Sequence, residues 1–151
     1  MDDSKYLPQY VFIYGRDEIR IEPLIIEGVT RTRIRVVGCA DFLRVFKSWH
    51  QSQGAKKPQD WSLPEGRDHG SLLLREAILR YRESWSLPYQ DVEICHCRQV
   101  TTQTVCDAIR NGAHDLEGIR RMTTANTSCG SCRRDIEAVL QYHLAAARSD
   151  N

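Results

Sequence analysis

The placement of the cysteines constrains this chain more than any other feature. Six cysteines occur among 151 residues. Cys39 stands alone, and Cys95, Cys97, Cys106, Cys129 and Cys132 crowd into the second half. Six are too few for a disulfide scaffold in a chain this long. The start, Met1-Asp2-Asp3-Ser4-Lys5-Tyr6, lacks the basic and apolar regions of a signal peptide. In such a context clustered cysteines favour a metal site over structural disulfides. Cys95-His96-Cys97 is a C-x-C string and Cys129-Gly130-Ser131-Cys132 is a C-x-x-C string, with thirty-one residues between them. The first pair precedes a predicted helix and the second opens another. Thiolates there gain from free backbone N–H groups and the positive helix end, which also lower a cysteine pKa. Four thiolates suit either zinc or an iron–sulfur cluster, and spacing alone leaves both open. A redox dithiol is a weaker third reading.

Charge excludes several classes. Lys and Arg total 21 against 20 Asp and Glu, a net charge of +1, so there is no basic arm for nucleic acid and no acidic tail. No run approaches the length of a membrane span. Apolar residues at 41% and charged residues at 27% describe a soluble globular protein, expected in the cytoplasm.

The pattern divides the chain near residue 90. Residues 1–90 carry 14 bases and 12 acids, and residues 91–151 carry 7 and 8, so charge does not mark the division. Tyr10–Tyr14, Ile19–Ile26 and Thr32–Val37 read as strands. Ile19, Ile21 and Ile25 share one phase of alternation, as do Ile34 and Val36. Gly28 fits a hairpin loop. Phe42, Val45, Phe46 and Trp49 recur at helical spacing from Ala40 to Trp49, with Asp41 as the expected cap. Gln51–Gly70 reads as a loop. Ser71 is the expected cap of a second helix to about Trp85, striped by Leu74, Ile78, Tyr81 and Trp85.

In residues 91–151 a helix starts at Thr101 or Thr102 and includes Val105, Cys106 and Ile109, with Asn111-Gly112 closing it. Asp115 can cap a short helix bearing Leu116, Ile119 and Met122. A polar loop, Thr123–Gly130, precedes a last helix from about Ser131 to Ala146, with Ile136, Val139, Leu140, His143 and Leu144 inward. The expected fold class is α+β: a small N-terminal antiparallel sheet with two helices, then a small all-helical domain that needs a staple.

Residues 94–144 resemble the bacterioferritin-associated ferredoxin family of [2Fe-2S] domains. The likeness is carried by Ile94-Cys95-His96-Cys97-Arg98-Gln99-Val100-Thr101, by Val105-Cys106-Asp107-Ala108-Ile109-Arg110-Asn111-Gly112-Ala113, and by Thr124-Ala125-Asn126-Thr127-Ser128-Cys129-Gly130-Ser131-Cys132. The resemblance implies a helical fold holding the cluster in loops near its surface, with Cys95, Cys97, Cys129 and Cys132 as ligands. Family members often have Gly at the position of Asn126, and Asn tolerates a left-handed backbone better than other non-Gly residues. Related modules occur in assimilatory nitrite reductases and nitrogen-fixation scaffold proteins. Residues 1–90 match no family recognised from the sequence.

Other residues have ordinary readings. Cys39 and Cys106 are expected to be packing residues. His96, between two ligands, is expected to face solvent or support the site from outside. Trp49, Trp61 and Trp85 read as core or interface aromatics. Arg98, Arg110, Arg120, Arg121, Arg133 and Arg134 surround the proposed site. Guanidinium groups near a cluster stabilise its more negative, reduced form. Arg98 and Arg133, each adjoining a ligand, are the preferred tuning residues. Asp107, Asp115, Glu117, Asp135 and Glu137 interrupt the basic residues, which argues against a nucleic-acid surface.

No acid–base pair or nucleophile stands out, since Asp60, Glu65 and His69 lie in a polar loop. The expected function is therefore non-enzymatic: a one-electron carrier for a protein redox partner. The alternatives are cluster assembly, delivery or sensing with a cluster-transfer partner, and a structural zinc module. The N-terminal region would dock the partner or form a homodimer.

Overall fold

Alternating isoleucines build the first sheet. The computed structural model describes residues 10–145, and the chain divides into two units, one of residues 1–64 and 73–85, the other of residues 65–72 and 86–151. The Met1–Tyr6 start and Ala146 lie outside the described residues.

In the first unit, β1 (Val11–Ile13), β2 (Glu18–Ile26) and β3 (Val29–Val37) form an antiparallel sheet in that order. Val11 pairs with Ile21 and Ile13 with Ile19, while Ile19 faces Val36 and Ile21 faces Ile34. Strand alternation therefore sends all six to one face. They pack with Phe42 and Trp49 of α1 (Ala40–Gln53) and with Leu73, Leu74, Ala77 and Ile78 of α2 (His69–Tyr81). Full burial of a side chain such as Ile19 contributes roughly 1.5–3 kcal/mol.

The hairpin turns at Glu27 (φ 50°) and Gly28 (φ 77°), between the paired Ile26 and Val29. Two left-handed residues give the turn whose twist matches the strands. Pro23 is tolerated in β2 because β1 pairs only as far as Ile21, leaving Pro23 with a single neighbouring strand. Ile25 shares the phase of Ile19 yet is 70% exposed, because the hairpin tip runs beyond the buried core.

Two helix starts differ from expectation. Asp41 does not cap α1. The cap position is Cys39, whose side chain makes no capping hydrogen bond to the helix, and its N–H donates to Asp17 Oδ1 at 2.7 Å. Asp41 sits inside the first turn, 3.1 Å from Arg44, where its charge suits the positive helix end. Likewise Ser71 does not cap α2. Asp68 does, accepting from Ser71 N at 3.0 Å and Ser71 Oγ at 2.7 Å. The Asp68 carbonyl takes the Leu72 N–H.

The expected Gln51–Gly70 loop is shorter than that span. Helix α1 continues to Gln53, and Pro58–Asp60 forms a 3-10 turn. The Trp49 indole donates to Ser62 O at 2.7 Å, and Arg75 Nε donates to Pro64 O at 2.9 Å. These bonds satisfy loop carbonyls that secondary structure leaves open. Helix α2 stops at Tyr81, whose hydroxyl meets Thr32 Oγ1 at 3.2 Å, so Trp85 lies beyond it.

The second unit has a short antiparallel pair, β4 (Glu93–Cys95) and β5 (Val100–Thr101), followed by α3 (Thr102–Arg110), α4 (Leu116–Thr123) and α5 (Arg133–Ala145). Thr101 caps α3, accepting from Thr104 N, and Asp115 caps α4, accepting from Gly118 N at 2.6 Å. At the end of α3 the positive φ falls on Gly112 (115°), while Asn111 keeps φ −90°. Ile94, Val105, Ile109, Ile119, Ile136 and Val139 are at most 2% exposed and share a core with Cys95, Cys106 and Cys132. Met122 turns outward at 51% exposure. His143 is buried, as its place on the apolar stripe of α5 implies.

Candidate metal centre

Each half of the site is presented by a different local device. The first cysteine pair sits where β4 ends. Cys95 points into the core, fully buried, and pairs with Val100 across the ladder. The connection back to β5 passes through Gln99 at φ 53°. This turn leaves His96, Cys97 and Arg98 exposed. The His96 Nδ1 lies 2.6 Å from Glu93 Oε1, which engages that ring nitrogen.

The second pair sits where α5 begins. Cys132 provides the carbonyl that accepts the Ile136 N–H at 3.0 Å, which makes it the residue entering the helix. Cys129 precedes Gly130, whose φ of 75° lets the C-x-x-C turn close. Cys132 is 6% exposed, and Cys129 is exposed.

The fold brings these four sulfurs together. Cys95 Sγ lies 3.8 Å from Cys97 Sγ, and Cys97 Sγ lies 3.5 Å from Cys129 Sγ. Cys132 is in side-chain contact with Cys95. Two sulfurs are therefore inside the core and two face solvent. Cys106 packs in the core on α3, and Cys39 packs against the core of the first unit.

Donors tune the thiols unevenly. Cys129 is lowered to about 7 by the Ser131 hydroxyl, 3.1 Å away, then by the Ser131 N–H and the Cys97 thiol. Cys132 is pushed up to about 11 by burial and then by Cys95. For Cys95 burial is the largest single influence and acts upward. The N–H groups of Asn126 and Arg98 and the neighbouring thiols together outweigh it, so its pKa is lowered. Soft sulfur donors converging in this way, with backbone N–H groups aimed at one of them, fit an iron–sulfur centre.

The segment before Cys129 is the part that the sequence left as a polar loop. Thr124 (φ 65°) and Asn126 (φ 59°) are both left-handed. Thr123 Oγ1 donates to Ile119 O at 2.6 Å and accepts from Ala125 N at 3.1 Å. Thr127 Oγ1 donates to Thr124 O at 2.6 Å. Asn126 is 4% exposed, and its N–H donates to Cys95 Sγ at 3.5 Å. Arg120 Nε donates to Asn126 O at 3.1 Å. With the amide oriented to suit both neighbours, Asn126 Nδ2 donates to Gly130 O at 3.3 Å and its Oδ1 accepts from Arg120 Nη2 at 3.1 Å. Arg120 and Asn126 thus meet at the ligand loop, and the sign of this in the sequence is an Asn at a position where the resembling family often has Gly.

The two preferred arginines behave differently. Arg98 acts on Cys95 through its backbone N–H. The Arg133 guanidinium donates to Glu137 Oε1 at 3.0 Å, one helical turn along α5.

Fold and site together define a small helical iron–sulfur module with paired cysteines on a strand end and a helix start. Residues 93–142 match the model of the BFD-like [2Fe-2S] binding domain family. Its cofactor is a [2Fe-2S] cluster, which sets aside the zinc reading. A segment of 53 residues is 38% identical to a Klebsiella oxytoca protein described as nitrite reductase [NAD(P)H] large subunit. That match covers 35% of this chain and 6% of the relative. No solved structure matches the chain significantly.

Proposed function

We propose that this protein is a non-enzymatic one-electron carrier serving a protein partner in the cytoplasm. The observation that carries this reading is the split exposure of the sulfurs. Cys95 and Cys132 anchor the site in the core, while Cys97 and Cys129 open it to solvent. A bound [2Fe-2S] cluster supplies one-electron redox chemistry, and the chain holds it, orients it and sets its electrostatic surroundings. Burial of one side gives rigidity, and exposure of the other gives a short path to a docked partner. The related nitrite reductase subunit is itself a redox protein by name, which supports the same use of the module. Among the described residues no helix is long and apolar enough to cross a membrane.

The residues assigned as ligands are Cys95, Cys97, Cys129 and Cys132. The first unit, without a proposed chemistry of its own, is assigned to partner docking or self-association. Cluster delivery is the second reading, favoured by the same exposure of Cys97 and Cys129. The deciding experiment uses anaerobically purified full-length protein. Its EPR-monitored one-electron reduction and reoxidation should cycle repeatedly with iron and sulfide content unchanged. Quantitative cluster passage to an apo-ferredoxin, with no stable redox cycling, would favour delivery instead.

A further inference from the structure

Asn126 does more than tolerate the left-handed backbone at its position. Three segments of the site meet on this one residue. Its N–H reaches the buried ligand Cys95 from the first pair, at 3.5 Å. Its amide donates to Gly130 O, inside the second pair's turn, at 3.3 Å and accepts from Arg120 Nη2 at 3.1 Å. Arg120 also takes the Asn126 carbonyl through Nε at 3.1 Å, so one guanidinium grips both the backbone and the side chain of Asn126. The residue is 4% exposed, which shields these bonds from competing water.

Glycine at this position would supply the φ of 59° without any of the amide contacts. The side chain must therefore be explained by what it holds. It bridges the fixed end of α4 to the loop bearing Cys129 and Cys132. While Asn126 stays on Cys95 and Arg120, the second pair can move off only by drawing Gly130 away from Asn126, which breaks the amide bond to its carbonyl.

We propose that Asn126 and Arg120 form a latch that sets how slowly the cluster is released, with both acting as positioning residues rather than ligands. This rests on the reading of the site as a [2Fe-2S] centre. Asn126→Gly is the informative variant, because it keeps the left-handed backbone and the N–H to Cys95 while deleting the amide. Two hydrogen bonds lost from the closed state, one of them from a guanidinium, correspond to a change in rate of at least about tenfold. Arg120→Lys keeps the charge but loses the forked grip. Thr124→Gly is the control, since glycine keeps the left-handed turn and its N–H to Arg120 O while leaving both latch side chains in place.

The test follows loss of visible absorbance from anaerobic holoprotein in excess EDTA, with iron content and the EPR spectrum recorded at the start. Asn126→Gly should begin with wild-type iron content and lose its cluster at least about tenfold faster. Arg120→Lys should be accelerated several-fold, and Thr124→Gly should match wild type. A wild-type decay rate in Asn126→Gly overturns the latch while leaving the centre intact. Failure of Asn126→Gly to load would transfer the decision to Arg120→Lys, whose unchanged rate also overturns it. Wild-type protein that holds no [2Fe-2S] cluster would overturn the underlying reading and the latch with it.

Discussion

Cys97 and Cys129 are thirty-two positions apart in the chain, and their sulfurs lie 3.5 Å apart in the fold. Helices α3 and α4 return the chain across that interval. Each is closed by a local device: Thr101 and Asp115 at their starts, Gly112 and the left-handed Thr124 after their ends. The metal centre is consequently a product of capping and core packing as much as of cysteine spacing.

The ligand assignment predicts a sharp division among the six cysteines. Alanine at Cys95, Cys97, Cys129 or Cys132 should abolish stable binding of the expected two irons and two sulfides per chain. Alanine at Cys106, 4% exposed in the core, should retain the cluster at a packing cost of about 1 kcal/mol. Iron and sulfide analysis with denaturant unfolding checks both halves. Full cluster content in Cys132→Ala would show that the ligand set is wrong.

The cap of α4 carries part of the loop geometry. Asp115→Ala removes the acceptor that Gly118 N reaches at 2.6 Å, and should cost about 1 kcal/mol in unfolding free energy. Asp115→Asn should recover most of that loss, because an amide oxygen can accept the same bond. Equal losses in both variants would argue that charge at the helix end, and not the bond, is what matters.

Asp68 gives a pH signature. Burial, its largest single influence, acts to raise the pKa, but the Ser71 hydroxyl and N–H bonds outweigh it and hold the carboxyl below the ordinary 3.8. A group depressed on folding contributes stability above its unfolded value and loses it as pH falls through the folded one. The difference in unfolding free energy between wild type and Asp68→Ala should therefore be about 1 kcal/mol near neutrality and shrink in acid below the ordinary carboxylate value. Urea titrations at several pH values measure it. A difference that grows on acidification would contradict the sign.

Arg133 and Glu137 should act on the reduction potential as a pair. Arg133→Gln removes a cation beside the ligand Cys132 and strips Glu137 of its 3.0 Å partner, so the potential should fall on the order of tens of millivolts. Adding Glu137→Gln restores the net charge and should recover most of the shift. Both charges are well exposed, so high salt should shrink the effect. Redox titrations of the single and double variants at two salt concentrations check this. Identical potentials in all three proteins would place this ion pair outside the cluster's field.

Much of this protein was legible from its residues. Alternation marked Ile19, Ile21, Ile34 and Val36 as one buried face, because a strand's period is fixed by backbone geometry. The stripe Ile136, Val139, Leu140, His143 and Leu144 marked the inner side of α5 for the same reason. Asp115 was readable as a cap and the start of α3 as Thr101 or Thr102, since a cap bond spans only about three residues. The C-x-C and C-x-x-C strings named four cysteines and a family. What the sequence did not show depends on where the backbone turns and on which of several nearby partners a side chain reaches. Asp68 outcompetes Ser71 as cap because the chain enters α2 three residues earlier than the apolar stripe suggests. Ile25 has the phase of a core residue, and only the reach of the hairpin beyond the core leaves it exposed. Arg133 turns to Glu137, and the task of fixing the ligand loop passes to Arg120 and Asn126. Their partnership arises because α4 ends in a left-handed turn that folds residue 126 back onto residue 120, a geometry that periodicity does not encode.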